Sequence, residues 1–241
     1  MKLAVIGLGS IGMRRLRILK DMGEHNIAIY DIDITKAQDA ALNLGGLRVI
    51  INTDFIWQLH QPDAVFICTP ADSHVALALE AIKHGCHVFI EKPLSTSMSG
   101  VYRLAAKADG IVTMVACNWR FRPGVTEMMA RDGTVWIEAD VPIPPERRTS
   151  TLWDIEWHFY DLALAPGTKA QVVIRPSYTE PYRVVMQSKE QRLEWDDTYD
   201  VDADYRAEMA HFLGYAQHGK VTCNPIEQAA KTLRLLLEMG K

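Results

Sequence analysis

The stretch Lys2-Leu3-Ala4-Val5-Ile6-Gly7-Leu8-Gly9-Ser10-Ile11-Gly12 decides the fold. Lys2 to Ile6 is a short apolar run that suits a strand buried on both faces. It passes directly into Gly7-x-Gly9-x-x-Gly12, the glycine pattern of a strand-to-helix turn that cradles a dinucleotide. Gly7 allows the tight turn, Gly9 lets a pyrophosphate approach the backbone, and Gly12 lets helix and strand pack closely. Ser10 and Ile11 complete the cofactor loop. Amides at the helix start, with the dipole behind them, favour a phosphate by about 0.3–2 kcal/mol. Ile11, Leu16, Leu19 and Met22 recur at helical spacing, which puts Arg14, Arg15, Arg17 and Lys20 on the solvent side, and Gly23 closes the helix. A second strand, Asn26 to Tyr30, ends in Asp31, placed to accept hydrogen bonds from both hydroxyls of an adenosine ribose. Its charge repels a 2′-phosphate, and Ile32 and Asp33 supply no cation, so NAD is expected rather than NADP. The glycine pattern alone fits any glycine turn. Strand, glycines, helix, second strand and terminal acid in one unit make it a cofactor site.

Outward from this unit, 241 residues allow two modest domains or one large one. The chain is 48% hydrophobic and 23% charged, as in ordinary globular proteins. A net charge of −4 gives no basic field, which argues against nucleic acid as a partner. No apolar run approaches a membrane span. Lys2 before an apolar run mimics a secretory leader, but the glycines, Arg14-Arg15 and the lack of a small-residue cleavage site argue against one. Cys68, Cys86, Cys117 and Cys223 show no C-x-x-C spacing and read as reduced thiols, so a cytoplasmic protein is expected.

Strand and helix continue to alternate. Thr35 caps a helix to Leu44, Leu47 to Ile51 is a third strand, Phe55 to His60 a short helix, and Ala64 to Cys68 a central fourth strand ended by Thr69-Pro70. A helix from Asp72 to Lys83 leads to a fifth strand, His87 to Ile90, then Glu91-Lys92-Pro93. Ser95 or Ser97 starts a helix through Ala108, and Ile111 to Ala116 is a sixth strand. The pattern specifies a doubly wound parallel sheet over residues 1–118. From 119 to 241 the order changes: a short helix (Val125 to Arg131), a strand-like Thr134 to Val141, a Pro-rich link, and a helix from Leu152 to Leu164. Strands at Ala170 to Ser177, Tyr182 to Gln187 and Arg192 to Trp195 follow, with helices from Ala203 to Gln217 and Pro225 to Glu238. A small α+β domain with a mainly antiparallel open sheet is expected there.

In an open parallel sheet, ligands lie beyond the carboxyl ends of the strands. Gly7 to Gly12, Thr69-Pro70 and Glu91-Lys92-Pro93 all stand there, so Lys92 is directed toward the nicotinamide position rather than being a mere loop lysine. The Lys92–Pro93 bond is a candidate for cis. In the second domain Asp154, His158 and Asp161 share one helical face between bulky aromatic residues. No H-E-x-x-H or cysteine cluster supports a metal. The alternative is a helix whose His158 bonds a carboxylate for stability.

These motifs together resemble the glucose–fructose oxidoreductase / inositol dehydrogenase / rhizopine catabolism (Gfo/Idh/MocA) family. The resemblance is carried by Gly7-x-Gly9-x-x-Gly12, Thr69-Pro70-x-x-x-His74, Gly85-x-His87-Val88-x-x-Glu91-Lys92-Pro93, Asn118-x-Arg120-Phe121-x-Pro123 and Asp154-x-x-x-His158-x-x-Asp161, in the family's order. It implies a Rossmann domain followed by an open-sheet domain, and hydride transfer between a nicotinamide and a carbinol carbon of a sugar, cyclitol or sugar derivative. It also implies that Thr69, Pro70, His74 and Glu91 join Gly7, Gly9, Ser10, Ile11, Gly12, Asp31 and Lys92 around the cofactor. Lys92 would bond the reacting hydroxyl, His158 would act as general acid/base, Asp154 would orient substrate or His158, and Arg120 would contact substrate.

The chain departs from the family at Ser150-Thr151-Leu152-Trp153 and Glu156, where small residues are usual, and its second domain is shortened. The shortening keeps a second expectation open, a non-catalytic NAD-binding sensor or partner subunit. It also leads us to expect a homodimer through the C-terminal sheet. Arg147-Arg148 is either an anion contact or a solvated pair.

Overall fold

In a computed structural model, residues 1–130, 134–142, 152–166, 168–177 and 183–239 are described, without the side chains of 142, 152–155 and 176–177. The chain divides into two units, Met1–Ala116 with Glu208–Ala230, and Cys117–Ala207 with Lys231–Lys241. The division thus differs from a single cut at residue 118, because a late segment builds part of the first unit.

The first unit alternates β1 (Leu3–Ile6), α1 (Ser10–Asp21), β2 (Ile27–Tyr30), α2 (Ile34–Leu44), β3 (Leu47–Val49) and α3 (Thr53–Phe55), the last continued by a wide π-helical turn, Ile56–His60. Then come β4 (Ala64–Ile67), α4 (His74–Lys83), β5 (His87–Ile90), α5 (Val101–Lys107) and β6 (Thr113–Val115). Six strands lie in the order β3-β2-β1-β4-β5-β6, all parallel. This order reverses direction between β1 and β4, the crevice where such sheets bind ligands. β1 and β4 are buried at every position, which is why their sequences are continuous apolar runs.

Three local expectations are corrected. Arg15 is not on the solvent side; it is fully buried on the α1 face shared with Gly12, Leu16 and Leu19. Asp33, not Thr35, caps α2, accepting from the Thr35 amide at 3.1 Å. The helix expected from Ser95 or Ser97 starts only at Val101. The hydroxyls of Ser95 and Ser97 accept local amide bonds from Ser97 and Ser99, and such bonds compete with helix formation.

The late segment completes this unit. Phe212 meets Phe66 and Phe89 edge-on at 5.4 and 5.5 Å. Edge strand β6 is sealed by residues 222–226. Val115 N–H donates to the Asn224 carbonyl (2.9 Å), Asn224 Nδ2 donates to the Val115 carbonyl (3.1 Å), and Thr222 Oγ1 donates to the Thr113 carbonyl (2.6 Å).

The second unit holds a 3-10 turn (Asn118–Phe121), α6 (Val125–Ala130), β7 (Thr134–Pro142), α7 (Leu152–Ala163), β8 (Lys169–Ser177), β9 (Arg183–Gln187) and β10 (Arg192–Asp196). The helices α8 (Asp202–His218) and α9 (Ile226–Met239) each span a unit boundary. The sheet order is β10-β9-β7-β8, and it is mixed. β9 runs antiparallel to both neighbours, but β7 and β8 pair in parallel, because α7 forms a crossover between them. Val135, Ile137 and Ala139 point into a core with Phe159, Leu162 and Trp195, while Trp136 on the other face is 49% exposed.

Candidate functional site

The glycine turn is built as its spacing requires. Gly7 has φ +91°, and a Cβ there would stand 2.8 Å from the Cys68 carbonyl atoms. A Cβ on Gly12 would lie 1.9 Å from the Gly7 oxygen. Both glycines are therefore demanded by the protein itself. Gly9 is different: a Cβ there meets nothing within 4 Å. Its smallness answers no neighbour among the described residues and fits an external group approaching the backbone. Gly9 also begins α1 without any side-chain cap, and the first turn holds no acid, which suits a phosphate.

Asp31 sits at the end of β2, 8% exposed. Its Oδ2 accepts from Leu8 N–H at 2.6 Å and its Oδ1 from Asp33 N–H at 2.9 Å. These bonds fix the carboxylate against the glycine turn and leave further lone-pair positions for ribose hydroxyls.

After β4 and β5 two loops leave the sheet side by side. The last ladder bond runs from Glu91 N–H to the Ile67 carbonyl at 2.9 Å. Glu91 is buried, and its Oε1 accepts from Arg15 Nε at 2.7 Å, while Arg15 also pairs with Glu208 and stacks 4.5 Å over Phe89. The Lys92 amide donates back to Glu91 Oε2 at 3.3 Å, the Lys92–Pro93 bond is cis, and Lys92 is half-buried. In the loop after β4, Thr69 accepts from the Ser73 hydroxyl at 2.7 Å and Pro70 is exposed. His74 is 1% exposed, with Nε2 2.7 Å from the Thr69 carbonyl and Nδ1 2.9 Å from the Pro93 carbonyl. Burial holds its pKa below the ordinary value, while those carbonyls and Glu91 pull upward.

Arg15 and Glu208 are the residues sequence reasoning missed. Arg15 stands three residues after Gly12 and four before Leu19, so it belongs to the buried stripe; Glu208 precedes buried Phe212 by one helical turn. Charge alone argued against burial, and the pairing reverses that argument.

In the second unit, α7 brings Asp154, His158 and Asp161 into one helix. The Asp154 side chain and Arg147-Arg148 lie outside the described residues. His158 is half-buried beside fully buried Trp157. Burial raises the pKa of Glu156 and of Tyr160. Asp161 turns inward, accepting Arg120 Nε at 2.7 Å and Nη2 at 3.0 Å, a two-pronged pair between buried side chains. Arg122 lies 3.4 Å from the Trp119 ring centroid and pairs with Asp204 at 2.9 Å. Among the described residues no group of three His, Cys, Asp or Glu could hold a metal ion, and no helix is long and apolar enough to cross a membrane.

This geometry is that of a dinucleotide-binding fold, and comparison with known proteins finds the same fold in its relatives. Residues 1–116 match the model of the GFO_IDH_MocA oxidoreductase family with an NAD-binding Rossmann fold. The chain is 34% identical over 113 residues to inositol 2-dehydrogenase of Acidothermus cellulolyticus, covering 45% of this chain and 33% of that protein. It is 32% identical over 202 residues to an uncharacterized oxidoreductase, YrbE, of Bacillus subtilis, covering 73% of this chain and 59% of the relative. Among solved structures, UDP-N-acetylglucosamine 3-dehydrogenase from Acidithiobacillus ferrooxidans superposes with TM-score 0.82 at 19% identity over 98% of this chain and 95% of the other. Over its first 116 residues the chain is thus similar to the Gfo/Idh/MocA oxidoreductases. The match spans about a third of the length of the inositol dehydrogenases.

Proposed function

We propose that the chain is an NAD-dependent dehydrogenase acting on a secondary hydroxyl of a sugar, cyclitol or sugar derivative. The observation that carries this reading is Gly9, whose empty Cβ position and uncapped helix start sit beside the fixed carboxylate of Asp31. Gly7, Ser10, Ile11 and Gly12 complete the pyrophosphate turn, and Thr69, Pro70 and Glu91 frame it. Asp31 selects NAD over NADP, since its charge opposes a 2′-phosphate.

Bound NAD supplies the hydride acceptor. Lys92 donates a hydrogen bond to the substrate oxygen and stabilises negative charge developing there. His158 takes the hydroxyl proton during oxidation and returns it during reduction, the general acid/base role that an imidazole can fill. Asp154 orients His158 or the substrate, and Arg120, anchored by Asp161, lines the substrate side. The protein works in the cytoplasm, in keeping with its free cysteines, and pairs with a second copy through the sheet face that carries Trp136.

The test is NADH formation with a panel of polyols and nucleotide sugars, including myo-inositol, by the parent, Lys92→Met and His158→Ala. A loss of about 10²–10⁴-fold in kcat for His158→Ala is expected. Equal turnover by that variant and the parent removes His158 from the mechanism. Tight NAD binding with no turnover across the panel favours the sensor or partner-subunit reading instead.

A further inference from the structure

We propose that His74 is a positioning residue for Lys92, fastening the loop that carries Lys92 and Pro93 to the loop that follows β4. The inference rests on the role proposed for Lys92. β4 and β5 are paired up to Ile67 and Ile90, and the ladder ends with the bond from Glu91 N–H to the Ile67 carbonyl. Beyond that point the two strands' loops diverge. His74, at the start of α4, spans them: one ring nitrogen faces the Thr69 carbonyl at 2.7 Å and the other the Pro93 carbonyl at 2.9 Å.

Lys92 therefore lies between two anchors. On its N-terminal side Glu91 is held by Arg15. On its C-terminal side the Pro93 carbonyl faces His74, and Leu94 beyond it is fully buried. Imidazole suits this place because its two nitrogens point to opposite ends of one rigid ring. The resemblance sets His74 among the residues around the cofactor; with 1% exposure and both nitrogens directed at carbonyls, it serves that site through the loops and not by its own contact.

Three substitutions separate positioning from simple support. A neutral imidazole carries a single N–H, so only one of the two carbonyls can receive it. The amide nitrogen of Asn stands near the place of Nδ1 and that of Gln near Nε2, so His74→Asn offers a donor toward Pro93 only, His74→Gln toward Thr69 only, and His74→Phe offers none. With NAD and myo-inositol, kcat for His74→Phe and His74→Gln is expected to fall about 10- to 100-fold, the loss typical of a reacting group displaced by about 1 Å. His74→Asn retains most of kcat, and all three bind NAD like the parent. Parent-level kcat in His74→Phe overturns the proposal, as does an equal fall in the Asn and Gln variants that tracks their melting temperatures.

A second measurement is independent of turnover. Lysine amines are reductively methylated with an isotope-labelled reagent, and the Lys92 resonance is assigned by its disappearance in Lys92→Arg. A changed shift and titration of this resonance in His74→Phe but not in His74→Asn supports the proposal. An unchanged resonance in His74→Phe overturns it. If the parent oxidises no substrate, the dehydrogenase reading fails while this resonance still decides the role of His74.

Discussion

The two sheets bury their strands in opposite ways. β1 and β4 are covered on both faces, so the first unit offers its chemistry only at the carboxyl ends, where Gly9, Asp31 and Lys92 lie. β7 alternates, with Val135, Ile137 and Ala139 inward and Trp136 and Glu138 outward. Its outer face is crossed by exposed ion pairs, Arg175 to Glu138 at 3.2 Å and, on β9 and β10, Arg183 to Glu194 at 2.6 Å. A doubly covered sheet concentrates function at its rim, whereas a singly covered one presents a broad surface.

This contrast is sharpened by comparing charges inside and outside. Arg15→Met removes the cation between two buried carboxylates and is expected to cost about 3–5 kcal/mol, read as a shift of the urea midpoint. A loss under about 1 kcal/mol would show that the first sheet tolerates its buried charges like surface ones. Gly12→Ala drives a methyl group into the Gly7 carbonyl and is expected to lower stability by about 1–3 kcal/mol together with NAD affinity.

Gly9→Ala meets no atom of the described residues, so the melting temperature should hold while the NAD dissociation constant, measured by calorimetry, rises about tenfold or more. Parallel losses in both glycine variants would break the distinction between a position the fold demands and one the ligand demands.

Acid affects the first unit through its histidines. Burial holds the pKa values of His60, His74 and His87 below the ordinary 6.5. As pH falls below that value the unfolded chain takes up protons first, so this stability is present above about pH 6.5 and is lost on acidification. The urea midpoint should drop between about pH 7.5 and pH 5.5, and less so in His60→Asn, which removes one of these groups. On the second sheet, Arg175→Ala should change stability by less than about 1 kcal/mol, because both partners are half-exposed.

The parallel sheet was legible because apolar runs and glycines specify it locally, whereas the caps of two of its helices, α2 and α5, were misplaced. Gly7, Gly9, Gly12 and Asp31 could be placed from spacing alone. What escaped the sequence depends on partners far along the chain. Arg15 is buried because Glu208 arrives from 193 residues away, and no local pattern announces that. The parallel pairing of β7 with β8 was obscured because three short strands late in a chain suggest hairpins, while the crossover helix α7 changes the direction of return. Asp161 read as one member of a polar stripe, yet Arg120, 41 residues earlier, takes it inward.

The seal along β6 has a consequence for how the protein is made. Thr222 and Asn224 close bonds to residues 109 positions earlier, so a ribosome releases the open strand edge long before its cover. During that interval the nascent sheet presents unpaired amides and carbonyls to its neighbours, and the exposure ends only once residues 222–226 have left the ribosome and docked on β6.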